Sequence, residues 1–72
     1  MDKNFYVIGT VTYAVKGREI LRRNGIKAHV ERSFAADRIG CGYGIVAEAD
    51  VKKVLMLLSK ANITVKEVKS IE

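Results

Sequence analysis

The residue best suited to nucleophilic chemistry in this chain is Cys41, in the stretch DRIGCGYGI (residues 37–45), with Gly40 and Gly42 on either side. A thiolate is the reactive form of cysteine, and neighbouring guanidinium groups favour it. Arg38 stands three residues before the sulfur, and Arg32 belongs to the same region. The flanking glycines remove steric cover and leave backbone N–H groups able to approach it. No catalytic machinery accompanies this thiol: the chain has no second cysteine to resolve a disulfide, no general-base constellation, and no glycine-rich loop between a strand and a helix for a nucleotide. A single activated sulfur without such machinery suits a carrier better than an enzyme. The same residues also admit a purely structural reading, in which the glycines make turns and Cys41 is a small buried hydrophobe.

Two other chemistries compete for these residues. Cys41-Gly42-Tyr43-Gly44-Ile45-Val46 reproduces part of the basic-Gly-aromatic-Gly-aromatic-aliphatic pattern of an RNA-recognition strand. It lacks the basic residue and the second ring, and Glu48 stands where a further aromatic is expected. Tyr6 and Tyr43 are then the rings left for stacking bases, a poor platform that makes nucleic acid the weaker partner. His29 is the one side chain whose ordinary titration falls near neutrality, so it is a candidate proton shuttle. Its place in an alternating stretch puts it instead on a wet strand face.

Composition narrows the classes further. The chain has 72 residues, enough for one small domain over residues 1–72. One cysteine and one histidine exclude an internal disulfide and a zinc cluster, and no cofactor is implied. The longest apolar runs, such as VLMLL at 54–58, fall far short of a membrane span, and MDKNFYVIG lacks a signal peptide's basic opening. We therefore expect a reducing, cytoplasmic setting, where a lone thiol stays free. The net charge of +5 is uneven: residues 1–36 hold seven Lys/Arg against three acids, and residues 37–72 hold six against five. That excess fits a solvated helix face, or a surface meeting nucleic acid or an acidic protein.

The elements that must position Cys41 follow from periodicity. FYVIGTV (5–11) reads as a central strand. From Thr12, as cap, a helix runs with Tyr13, Ala14, Gly17, Ile20, Leu21 and Asn24 on one side, and Gly25 ends it. IKAHVER alternates as a strand with one wet face, and YGIVAE (43–48) is a third strand. Asp50 caps a second helix with the stripe Val51, Val54, Leu55, Leu58 and Ala61, Met56 pointing outward, and ITVKEVKSI supplies a last strand. The order β-α-β-β-α-β is that of the α+β ferredoxin-like sandwich: a four-stranded antiparallel sheet with both helices on one face. The other face is left free, and being partly apolar it offers a route to a homodimer. The connection from about Ser33 to Gly42 exceeds an ordinary hairpin loop, and loops of such length are commonly functional.

The stretch YVIGTVTYAVKGREILRRNGIKAHV, the motif GCGYGI and the helix DVKKVLMLLSKANI together resemble the selenium/sulfur carrier-like family, short proteins long catalogued as a domain of unknown function. The resemblance covers most of the chain. It implies that Cys41 holds sulfur or selenium as a persulfide or selenenylsulfide, taken from a donor protein and handed to an acceptor protein. Gly40 and Gly42 would then provide access and Arg38 would tune the thiolate. The family usually has proline before the cysteine, and VERSFAADRIGCG has none. The alternative function is a binding module that uses the open sheet face for RNA or for a regulatory ligand.

Overall fold

The computed structural model describes residues 3–32 and 42–71. Its elements are β1 (Lys3–Gly9), α1 (Val11–Arg23), β2 (Lys27–Arg32), β3 (Tyr43–Glu48), α2 (Val51–Lys60) and β4 (Glu67–Ser70). The strands form one sheet in the order β2-β3-β1-β4, every neighbouring pair antiparallel. This is the ferredoxin-like arrangement expected from the order of the elements.

Both helices pack on one face of the sheet. Leu21 of α1 and Val54 and Leu58 of α2 are fully buried together with Tyr6 and Ile45 of the central strands. α1 packs tightly at Gly17: a Cβ built there would lie 2.7 Å from Ile45 Cδ1 and 3.0 Å from Leu58 Cδ2. A side chain at this position would push α1 away from the sheet and from α2 at once. Phe5, Val7 and Val46 form a second, smaller cluster on the opposite face.

Both helices stop by the same device. Gly25, at φ 78°, turns the chain so that Ile26 N–H donates to the Leu21 carbonyl and Gly25 N–H to that of Arg22. Asn62, at φ 62°, does the same after α2, where Ile63 N–H donates to Leu58 and Asn62 N–H to Ser59. In each case the left-handed residue satisfies carbonyls left open at the helix end and drops a buried isoleucine into the core.

Three details differ from the sequence reading. β1 ends at Gly9 rather than continuing to Val11, because Gly9 adopts φ 120°, a conformation that side chains rarely take. Thr10, not Thr12, then caps α1, its hydroxyl accepting from Tyr13 N–H at 3.4 Å, and this phase leaves Tyr13 exposed instead of packed. The last strand is only Glu67–Ser70, since Ile63 is spent on the helix terminus and β4 pairs with β1 only over Asn4–Val7. On the outer face, Phe5, Val7 and Val46 are at most 8% exposed.

Leu58 is fully buried in the core from the last turn of α2, so Leu58→Ala should lower the unfolding free energy by about 2–5 kcal/mol. Met56→Ala, on the exposed side of the same helix, should change it by less than about 0.5 kcal/mol. Urea denaturation of the two variants checks both values, and equal effects would show that α2 does not present the face described.

Candidate functional site

Cys41, Gly40 and Arg38 lie outside the described residues, as does the rest of the segment 33–41. What the structure fixes is the frame on which that segment is mounted. β2 delivers its last residue, Arg32, opposite Tyr43, the first residue of β3. On its other side Tyr43 pairs with Gly9 at the end of β1. Three chain ends therefore meet at one end of the sheet, and Gly42, the residue bonded to Cys41, is held there.

Arg32 is drawn close to this point. A Cβ built on Gly42 would lie 3.4 Å from both Cγ and Nε of Arg32, so the arginine side chain runs alongside the Gly42 backbone. Among the described residues Arg32 forms no ion pair, in contrast to Arg18, which is held by Glu19 at 2.9 Å. A second positive feature comes from β1. Gly9 is Tyr43's partner, and α1 begins two residues after it, at Val11, with no acid in its first turn. The amino end of a helix carries partial positive charge. Gly42, the residue next to Cys41, thus lies beside one cationic side chain and stands at the end of the sheet where one helix terminus of the same sign begins.

The other candidates are placed less favourably. His29 is exposed on β2 with its Nε2 2.7 Å from Glu31 Oε2, an exposed pair on one strand face. In register His29 stands opposite Val46, and Arg32 opposite Tyr43, so three positions along the strand separate the histidine from this end of the sheet. Tyr6 is fully buried among the residues beneath the helices, and Tyr43 packs against that same cluster. Neither ring is presented on the open face, as base stacking would require. Phe5 is the aromatic that the described strands place on that face, and it is 8% exposed. Among the described residues, no group of three or more His, Cys, Asp or Glu is arranged to hold a metal ion, and no helix is long and apolar enough to cross a membrane.

The glycines of GCGYG separate by role. At Gly44 a Cβ would come within 2.5 Å of both Phe5 Cζ and the Tyr6 carbonyl oxygen, so this glycine is required by close packing between β1 and β3. At Gly42 the nearest atoms belong to the flexible Arg32 side chain at ordinary contact distance. No family model, curated protein or solved structure matches the chain.

Sequence reasoning named Arg32 as a nearby cation but missed the amino end of α1. The signal was Gly9: with the strand carried on to Val11, the helix start was displaced away from Tyr43.

Gly44→Ala should therefore lower stability by about 1–3 kcal/mol or more through overpacking, whereas Gly42→Ala should stay within about 1 kcal/mol of the parent. Thermal unfolding of the two proteins measures this directly. Equal sensitivity at both positions would contradict the division of roles.

Proposed function

We propose that this protein is a sulfur or selenium carrier of the reducing cytosol, with Cys41 as the carrier thiol and with Gly40 and Gly42 giving access to it. The observation that supports the reading most is the position of Arg32 alongside Gly42, one residue from the sulfur, at the end of the sheet where α1 begins. Both features favour a thiolate over a thiol, and Arg38 is a further cation three residues away in sequence.

Transfer in this scheme is an exchange without net oxidation. The Cys41 thiolate attacks the outer sulfur of a donor persulfide, a new S–S bond forms at Cys41, the donor S–S bond breaks, and the donor cysteine leaves as a thiolate. An acceptor thiolate then repeats the step on the Cys41 persulfide. With selenium the carried atom is the outer selenium of a selenenylsulfide and the electron count is the same. No cofactor takes part. The partners are a donor protein and an acceptor protein, and the small domain supplies a presented, activated atom between them.

The thiol should react completely with an alkylating reagent in the folded state, its rate rising with pH through a midpoint below the ordinary value of about 8.5. Arg32→Ala and Arg38→Ala should each move that midpoint upward, since removing a cation withdraws stabilisation from the thiolate; a full unit corresponds to about 1.4 kcal/mol. Incubation with a cysteine desulfurase and cysteine should add one sulfur atom to the intact mass, and Cys41→Ser should abolish the addition while leaving the fold unchanged. A thiol protected until the protein unfolds would favour the buried structural cysteine instead.

A further inference from the structure

β2 is an edge strand of the sheet, and no strand among the described residues pairs with its outer side. We infer that this edge is a pairing surface for a second copy of the same chain, joined antiparallel about His29 into one continuous eight-stranded sheet.

The backbone has the right alternation. In an antiparallel ladder, successive residues bond alternately to the strands on either side. Ile71 N–H donates to the Lys3 carbonyl, so odd-numbered residues of β1 bond to β4 and even-numbered ones to β3. Carried through the registers, this leaves Gly44, Val46 and Glu48 bonding to Glu31, His29 and Lys27. The N–H and C=O groups of Ala28 and Val30 are then directed to the free edge. Pairing about His29 sets Ala28 opposite Val30 of the second copy and Val30 opposite its Ala28, the two positions with outward backbone groups.

The side chains are self-complementary on both faces. On the face carrying the helices, half-buried Ala28 and Val30 would meet their counterparts as two apolar cross-strand pairs. On the opposite face Lys27 of each copy would stand against Glu31 of the other, giving two opposite-charge pairs. Charges on an edge ordinarily prevent strand addition. Here their order, Lys27 and Glu31 equidistant from His29, turns the same guard into a selection for an antiparallel copy. The outer sheet face offers no comparable surface, because Phe5, Val7 and Val46 are already buried. β4 is the other edge but has only four residues. A six-residue edge covers less area than a standard stable interface, so the dimer should be weak and concentration-dependent.

Analytical ultracentrifugation over a hundredfold range of concentration, up to about 1 mM protein, should show a monomer–dimer equilibrium. Lys27→Glu and Glu31→Lys should each weaken it about tenfold or more, since each puts two like-charge pairs across the junction. Mixed in equal amounts, the two single variants should form a heterodimer, and the double variant Lys27→Glu/Glu31→Lys should dimerise like the parent. Circular dichroism confirms that each variant is folded, and recovery in the mixture separates lost pairing from lost folding. A monomer at every concentration would overturn the inference. So would a dimer indifferent to these charge reversals, or one abolished instead by Glu67→Lys in β4.

Discussion

The pairing of β3 along both of its edges is the constraint on which the rest of the molecule depends. Through β1 it brings Tyr6 against Ile45 and closes the sheet beneath α1 and α2; through β2 it carries Arg32 to the start of β3. Gly44 makes the first of these pairings possible, because the Phe5 ring and the Tyr6 carbonyl occupy the space where a side chain would stand. Gly17 plays the matching part on the helix side, letting α1 rest on Ile45 and Leu58. Two glycines thus set the spacing between β1 and β3 and between α1 and the sheet.

The consequence for chemistry is one of mounting. Tyr43 is fixed between Arg32 and Gly9, so the residues immediately before it leave from a place where one arginine and one helix terminus supply positive character. A carrier thiol needs little beyond this. It must be ionised enough to attack, exposed enough to meet two partners in turn, and attached to a scaffold that does not rearrange. The fold provides that scaffold through local helix caps and the core closed between sheet and helices.

Much of this was legible in the sequence because the governing signals are local. The alternation of Lys27, His29 and Glu31 against Ala28 and Val30 located β2 and its wet face, and the stripe Val54, Leu58 with Asp50 before it located α2 and its cap. Gly25 announced the end of α1 for the same reason. The misjudged points involve competition between local and tertiary terms. Thr10 and Thr12 are equally good caps by type, and only the positive φ at Gly9 decides between them. Tyr6 and Tyr43, read from the sequence as a poor platform for stacking bases, are both sent to the helix side by the side-chain alternation that the β1–β3 register fixes. Cys41, Gly40 and Arg38 were legible as a motif by residue type; their arrangement lies outside the described residues.

The central claim is that Cys41 passes on what it receives, and discharge of the loaded protein tests it most directly. Protein carrying one added sulfur is isolated from its donor, given a stoichiometric acceptor thiol, and followed by intact mass. The account predicts that the added sulfur leaves Cys41 and appears on the acceptor in equal amount, at a rate that rises as the acceptor thiol ionises. An accessible Cys41 that takes up no sulfur, or holds it without release to any acceptor thiol, would contradict the account while leaving the fold in place.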